Sequence, residues 1–155
     1  MKTVNQIATV IGAGQGKPLN ILGHTATVKI SRKETEGNYY VFEVVTPAGH
    51  GIPPHVHERE DEFIYVLEGE FEVMLGGELF TAKKGAQIFF PRRIPHAFTN
   101  VGQTAGTTLW TVIPGGNFED FFEELNALPA GPPDMGEVVR IFGKYGMQVL
   151  IGQEA

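Results

Sequence analysis

Three histidines and one glutamate are the residues whose types and spacing could do chemistry in this sequence. His55 and His57 are one residue apart, Glu62 follows on the next predicted strand, and His96 lies further downstream. Divalent transition metals accept imidazole nitrogens and carboxylate oxygens as ligands. On a β-strand, residues two apart point to the same face, so His55 and His57 would present both rings to one side. These four residues predict a metal site if the fold brings them together.

Composition narrows the classes of protein and of site. The chain has 155 residues, 42% of them hydrophobic, which is the size and composition of one globular domain. It has no cysteine, which excludes thiolate metal sites and cysteine nucleophiles. Its net charge of −6 argues against nucleic acid and anionic membranes as partners, since both require a basic surface. No signal-peptide pattern and no apolar membrane-spanning run is present, so we expect a cytoplasmic protein.

A glycine-rich stretch near the N-terminus superficially resembles a phosphate-binding loop. Three residues instead of four separate Gly12 from Gly16, and Pro18 follows Lys17 where Ser or Thr is required. We therefore predict a turn within a flexible N-terminal segment, residues 1–18.

Residues 19–114 are predicted to form a set of short strands. Runs rich in β-branched and aromatic residues alternate with Gly, Pro and Asn, which favours an all-β sandwich or barrel. In the run Glu62–Leu67, the side chains of residues 62, 64 and 66 share one face and those of Phe63, Tyr65 and Leu67 the other. If Glu62 points inward, the outer three need cover from C-terminal helices or from a second subunit.

Two short helices are predicted in residues 115–155, on either side of a Pro/Gly linker. Asn117 is expected to cap the first and Asp134 the second, with Glu137 completing a capping box. Helices this short are unstable alone, so we expect them to pack on the barrel or on a partner subunit. Their apolar faces have helical spacing and consist of Phe118, Phe121, Phe122 and Leu125 in the first, and Val138, Ile141, Phe142 and Tyr145 in the second.

The residues around the paired histidines match a known family signature. The pattern Gly49-x5-His55-x-His57-x4-Glu62-x6-Gly69 resembles the first motif of the cupin superfamily at every marked position. The resemblance implies that His55, His57 and Glu62 are metal ligands.

A second cupin motif follows downstream. Gly85-x5-Pro91-x-Arg93-x2-His96-x3-Asn100 resembles it with one departure, since Arg93 stands where the pattern usually has glycine. That departure bears on the turn before His96 and could place a guanidinium near the barrel mouth. The two motifs cover about a third of the chain, and the tail after Pro114 is similar to cupins described as quercetin-dioxygenase-like.

The resemblance implies an antiparallel jelly-roll β-barrel with two short C-terminal helices and one metal ion inside. His96 would be the fourth ligand. The ligand set accepts Fe, Mn, Ni, Co, Cu or Zn and does not select among them. The implied partners are a small-molecule substrate and a second copy of the chain in a homodimer.

Other polar residues are interpreted more simply. His24 and His50 match no motif position and are expected at the surface or in loops. The charge run Glu58–Asp61 is expected to be a solvated loop. Four aromatic residues could line a substrate cavity, although core packing is the more common role for any one of them: Phe42, Phe90, Phe98 and Trp110.

Three functions are compatible with these residues. The first is a metal-dependent dioxygenase acting on a small aromatic or enolisable compound, with Glu62 as catalytic general base. The second is a non-redox isomerase or polyketide-type cyclase that uses the metal as a Lewis acid. The third is a non-catalytic module that binds a small ligand in the barrel.

Overall fold

The computed structural model describes residues 6–150, which form two antiparallel β-sheets and three helices. In chain order, the elements are β1 (Lys17–Ile21), β2 (His24–Ile30), α1 (Arg32–Thr35), β3 (Tyr40–Thr46), β4 (Gly51–His57), β5 (Asp61–Glu68), β6 (Glu70–Leu75), β7 (Glu78–Lys83), β8 (Gln87–Phe90), β9 (His96–Asn100), β10 (Gly106–Ile113), α2 (Phe118–Asn126), α3 (Met135–Lys144) and β11 (Met147–Val149).

The strands follow jelly-roll topology. The six-stranded sheet has the order β1-β2-β3-β10-β5-β8 and the five-stranded sheet the order β11-β4-β9-β6-β7, so the chain crosses repeatedly between sheets. This confirms the predicted all-β jelly roll with two short C-terminal helices. Within residues 6–150 the two sheets are separate hydrogen-bonded units, so the barrel is a two-sheet jelly roll and is not closed by a continuous ladder.

Alternation decides which side chains fill the space between the sheets. On β5, Glu62, Ile64 and Val66 are buried, as the predicted face requires. On β10, every second residue from Gly106 is buried, which places Trp110 inside. The register pairs Trp110 with Phe42 on one side and with Ile64 on the other.

The outer face of β5 remains uncovered. Phe63 is 38% exposed and Tyr65 is 41% exposed, while Leu67 is half-buried. The C-terminal helices pack elsewhere, α2 against β1 and α3 against β11. Cover of this face by those helices, one of the two alternatives drawn from the sequence, is therefore wrong.

The two C-terminal helices pack against edge strands of the two sheets and against each other. Their predicted apolar faces are buried, although Tyr145 follows the end of α3 and is half-buried. The carboxylate of Asp134 accepts hydrogen bonds from the backbone of Gly136 and Glu137, which confirms the second cap. Asn117 makes no capping hydrogen bond, and Glu137 pairs with Arg140 instead of completing a capping box.

Two further features lie near the N-terminus. The short helix α1, with a capping box formed by Ser31 and Glu34, was not anticipated. Of the segment predicted to be flexible, residues 1–5 lie outside the described part of the chain, and β1 already begins at Lys17. No helix among residues 6–150 is long and apolar enough to cross a membrane.

Candidate metal centre

The four predicted ligands converge between the two sheets. His55 and His57 lie at the end of β4, and His96 begins the neighbouring strand β9, directly across from His55 in the register. Glu62 comes from β5 in the opposite sheet. The structure thus brings together residues that are up to 41 positions apart, and it draws them from both sheets.

The ligand atoms are close and hidden from solvent. One oxygen of Glu62, Oε1, lies 3.0 Å from His57 Nε2 and 3.1 Å from His96 Nε2. His55 Nε2 lies 3.1 Å from His57 Nε2, and the four candidate ligand atoms all fall within 4.8 Å of one another. No side chain of the four is more than 6% exposed.

Each imidazole is oriented by an acceptor at its other nitrogen. His55 Nδ1 donates to the carbonyl of Pro53 at 2.8 Å, and His96 Nδ1 donates to that of Ile94 at 3.1 Å. His57 Nδ1 lies 3.3 Å from the carboxylate of Glu60. Carbonyls and carboxylates only accept, so each ring carries a proton on Nδ1 and turns its Nε2 toward the cluster.

Two of these orientations have a local cause in the sequence. His55 and His96 each directly follow a proline, Pro54 and Pro95. A proline fixes its own φ and restricts the preceding residue to extended backbone. The carbonyl two residues before the histidine is thereby held where the ring can donate to it. His57 follows Val56 and takes its acceptor from a side chain instead.

Burial lowers the pKa of one buried histidine, whereas nearby carboxylates raise the pKa of another. Burial, together with the imidazoles of His96 and His57, lowers the pKa of His55 to about 3. Burial also acts to lower the pKa of His57, but the carboxylates of Glu62 and Glu60 outweigh it and raise this pKa to about 9. Burial acts to raise the pKa of Glu62, and its contacts with His57 and His96 outweigh that and lower it.

The cluster fits a divalent metal ion. Glu62 Oε1 lies within 3.1 Å of two imidazole nitrogens, but the geometry gives neither Glu62 Oε1 nor His96 Nε2 a hydrogen bond. Buried polar atoms without hydrogen bonds are costly in a folded protein. A cation between them would satisfy both atoms, and three imidazoles with one carboxylate are ligands that transition metals accept.

An apolar cavity of about 60 Å³ opens beside the cluster. Phe42, Phe98 and Trp110 line it, together with His55, His57 and Glu62. The Trp110 ring stacks on Phe42 with centroids 5.8 Å apart, and its Nε1–H donates to Thr108 Oγ1 at 2.8 Å. Its polar atom is therefore already partnered, and the indole presents an apolar surface.

The fourth predicted pocket residue, Phe90, takes a different position. Its ring stacks on His96 with centroids 4.0 Å apart, and the side chain is fully buried. Phe118 of α2 lies 5.8 Å from His57, and Phe142 of α3 lies 5.7 Å from His55, centroid to centroid. The sequence predicted only an apolar helix face for these two residues, and the structure makes them part of the cavity wall.

Two polar residues of the site were placed wrongly from the sequence. His24 was expected at the surface but is 2% exposed in the cavity wall. Its Nε2–H donates to the Gly51 carbonyl at 3.3 Å, its Nδ1 accepts from Thr46 Oγ1 at 3.0 Å, and burial lowers its pKa. It is therefore a neutral wall residue, and its alternation with Ala26 on β2 was the signal for this.

Glu60 was expected in a solvated loop. Glu58 and Arg59 are indeed exposed, but Glu60 is 3% exposed beneath His57. Glu60 lies two residues before Glu62, so the alternation that buries Glu62 and Ile64 also predicts a buried side chain at position 60. His50, in contrast, is exposed in the loop before β4, as expected.

Arg93, which stands at the usual glycine position of the second motif, does not disrupt the turn. Its φ is +68°, in the left-handed region where glycine is favoured, which explains the usual glycine at this position. Its backbone N–H donates to the His57 carbonyl at 2.7 Å. The guanidinium is 74% exposed and lies 3.6 Å from Glu58, so it points away from the metal cluster.

Known proteins resemble this chain in sequence and in fold. The family model described as a cupin domain matches residues 41–112. A structure from Thermotoga maritima, described as a predicted oxalate decarboxylase, superimposes with a TM-score of 0.62 over 68% of this chain and 99% of that one, at 23% identity. At that identity, the likeness shows the fold alone.

Two curated relatives carry names that describe an activity. Quercetin 2,3-dioxygenase of Bacillus subtilis is 27% identical over 116 residues, 75% of this chain and 34% of the relative. Polyketide synthase CurC of Streptomyces cyaneus is 35% identical over 66 residues, 43% of each chain. The matches span between about a third and three-fifths of the length of the curated relatives.

Proposed function

This chain is a member of the cupin superfamily through its domain at residues 41–112, and we propose that it is a metal-dependent dioxygenase acting on a small aromatic or enolisable compound. The observation that carries the proposal is the buried cluster of His55, His57, Glu62 and His96 at the wall of an apolar cavity. One divalent ion of Fe, Mn, Ni, Co, Cu or Zn per chain would be held by these residues.

A transition metal bound there would supply Lewis acidity and, if redox-active, electron exchange with O2. The protein's own contribution is a fixed set of donors and a dry surround. Three imidazoles are locked with their Nε2 atoms inward, and apolar walls exclude water from the reacting atoms.

The lining of the cavity supports an apolar substrate. No lysine or arginine stands among its described lining residues, and His24 in its wall is neutral. A dicarboxylate or a sugar would find few groups to pair with its charges or hydroxyls away from the cluster. A ring with one oxygen directed at the metal would match both the aromatic walls and the cluster.

The size of the cavity sets a condition on that substrate. Its volume of about 60 Å³ is well below the roughly 150 Å³ of an engineered cavity that binds benzene. Phe118, Phe121, Phe122 and Phe142 of the C-terminal helices project into the same space. A substrate of one ring or more would therefore enter only if these side chains move.

Glu62 is the proposed general base. Its lowered pKa keeps it ionised at neutral pH, because His57 and His96 contact its carboxylate. To accept a proton from a substrate hydroxyl, it must first turn away from these imidazoles, which restores its basicity. Glu62→Gln should therefore reduce turnover more than the occupancy of the metal site accounts for.

A second candidate, non-redox isomerisation or cyclisation, is supported by the similarity to polyketide synthase CurC. The test is O2 uptake by metal-stripped protein reloaded separately with Fe(II), Mn(II), Ni(II) and Zn(II), with a flavonol as substrate. Uptake that requires a redox-active metal and is lost in His96→Ala would support the dioxygenase. Product formed without O2, with Zn(II) as effective as Fe(II), would favour the second candidate. Ligand binding that a chelator leaves unchanged would indicate a non-catalytic binding module.

The homodimer and the cytoplasmic location both stay predictions. Exposed Phe63, Tyr65 and Phe89 on the outer face of the six-stranded sheet support a second copy as the cover for that face. Sedimentation should then show a dimer for the wild type and a shift to monomer for Phe63→Glu. A wild-type monomer at micromolar concentration would contradict the prediction.

A further inference from the structure

Glu60 is a buried carboxylate that the predicted ligand set does not use. Its side chain is 3% exposed, whereas its neighbours Glu58 and Arg59 in the same loop face solvent. An ionised carboxylate is costly to bury unless it is hydrogen-bonded and its charge is compensated. The hydrogen-bond partner that the structure shows for it is His57 Nδ1, at 3.3 Å.

The loop that carries Glu60 is fixed where it leaves β4. The backbone N–H of Glu58 donates to the Gly146 carbonyl at 3.0 Å, beyond the end of α3. One residue earlier, the carbonyl of His57 accepts the Arg93 N–H at 2.7 Å. Backbone contacts therefore hold the loop in place, and the Glu60 carboxylate remains available to act on the His57 ring.

His57 differs from the other two histidines in what orients it. His55 and His96 donate to neutral backbone carbonyls, which the preceding prolines hold in place. His57 donates to an anion. A carboxylate in this position fixes the tautomer and also makes the opposite nitrogen, Nε2, a stronger metal donor.

Charge supplies a second, independent argument. Three neutral imidazoles and Glu62 carry a total charge of −1, so a divalent ion among them would leave +1 inside a nearly dry interior. No side chain of the cluster is more than 6% exposed, and an uncompensated buried charge is strongly unfavourable. The Glu60 carboxylate, one ring away, brings the total to zero.

We propose that Glu60 is a positioning residue for the metal, which orients and polarises His57 and balances the second positive charge of a divalent ion. The inference rests on the metal site of the proposed function. It extends that function by assigning a role to a residue outside the ligand set.

The test compares metal affinity in variants of the full chain, with Co(II) as the probe. Metal-stripped wild type, Glu60→Gln, Glu60→Ala and Glu58→Gln are titrated against a chromophoric chelator, and the visible Co(II) spectrum reports the coordination geometry. Glu58→Gln is the matched control, because it removes the same charge from an exposed position two residues away.

Glu60→Gln and Glu60→Ala should each bind one ion about 10–100-fold more weakly than the wild type, as is typical for partners of metal ligands. Glu60→Gln retains an acceptor but loses the charge, so its loss should be the smaller of the two. Glu58→Gln should bind as the wild type does. If Glu60→Ala fails to fold, Glu60→Gln carries the test alone.

Two outcomes separate the failure of this inference from failure of the metal site. If His57→Ala loses Co(II) and both Glu60 variants match the wild type in affinity and spectrum, Glu60 has no role toward the metal. If wild type and His57→Ala bind Co(II) equally, the metal site itself is wrong. A purely structural role would lower the melting temperature of the metal-free Glu60 variants and leave the affinity of the folded protein unchanged, which would also overturn the proposal.

Discussion

The two sheets face the same cavity but hold their inward side chains by different means. In the five-stranded sheet, His55 and His96 are each oriented by a backbone carbonyl two residues before the ring. In the six-stranded sheet, Phe42 and Trp110 are held by packing against each other across neighbouring strands. Its carboxylate, Glu62, finds its imidazole partners in the opposite sheet.

The difference shows which features of the site depend on nearby residues in the chain and which depend on the packing of the two sheets. The acceptors that orient the histidines lie within three residues of them along the chain, so a short piece of sequence encodes each ring direction. The position of Glu62 relative to those rings depends on how the sheets pack. Variants of the histidines in the five-stranded sheet should therefore affect the metal first, and variants of the apolar residues in the six-stranded sheet should affect stability first.

The largest expected effect is loss of metal binding when a histidine of the five-stranded sheet is removed. His57→Ala and His96→Ala each remove one ligand of the proposed site, so metal affinity should fall by more than the about 10–100-fold typical of residues that only support a ligand. Elemental analysis after reloading should give about one ion per chain for the wild type and far less for the variants. His50→Ala, at an exposed loop position, is the control. Full occupancy in both variants would show that these histidines do not bind metal.

In the six-stranded sheet, Trp110→Ala should act on stability instead. Trp110 is 6% exposed and stacks on Phe42, so its truncation should cost about 3–5 kcal/mol in the free energy of unfolding. The metal affinity of the folded variant should change little, because no ligand contacts are removed. Urea unfolding measures the first quantity and Co(II) titration the second. Thr25→Ala, at an exposed position on β2 of the same sheet, should cost far less; an equal cost would contradict the burial argument.

The pH dependence of metal affinity tests whether nearby carboxylates, Glu62 among them, raise the pKa of His57. The carboxylates of Glu62 and Glu60 overcome burial and raise the pKa of His57 to about 9, so metal-free protein carries a proton there at pH 7. A metal must displace that proton, and its apparent affinity should rise about tenfold per pH unit up to about pH 9. Calorimetric titrations in buffers with different ionisation enthalpies should detect the released proton. An affinity that stays flat between pH 7 and 9 would contradict the coupling.

The smallest effect concerns the turn that leads into β9. Arg93 holds a φ of +68°, which is strained for a residue with a Cβ atom. Arg93→Gly should therefore stabilise the protein by about 0.5–1 kcal/mol, since its exposed pair with Glu58 contributes little. Thermal unfolding measures this change. Arg92→Gly is the control and should destabilise, because Arg92 pairs with Asp61 and its φ is not positive. A loss of stability in Arg93→Gly would show that the side chain has a role beyond the turn.

Much of the fold and of the site could be predicted from short-range pattern. Alternation on β5 gave the inward face of Glu62, Ile64 and Val66, and helical spacing gave the buried faces of α2 and α3. The same rule of alternation would have placed His24 and Glu60 inside, but both were interpreted by residue type as solvated. Polar residues are usually exposed, and this average fails where a buried partner compensates for burial.

By itself, the sequence determined the donor set and the direction of two of its rings. The spacing of His55 and His57 puts them on one strand face, and the prolines before His55 and His96 hold the carbonyls that orient those rings. Only the tertiary structure decided that Glu62 meets them, that Trp110 faces the cavity and that the helices supply its remaining wall. The physical reason is range: backbone restriction acts over two or three residues, whereas contacts between sheets depend on the packing of the whole chain.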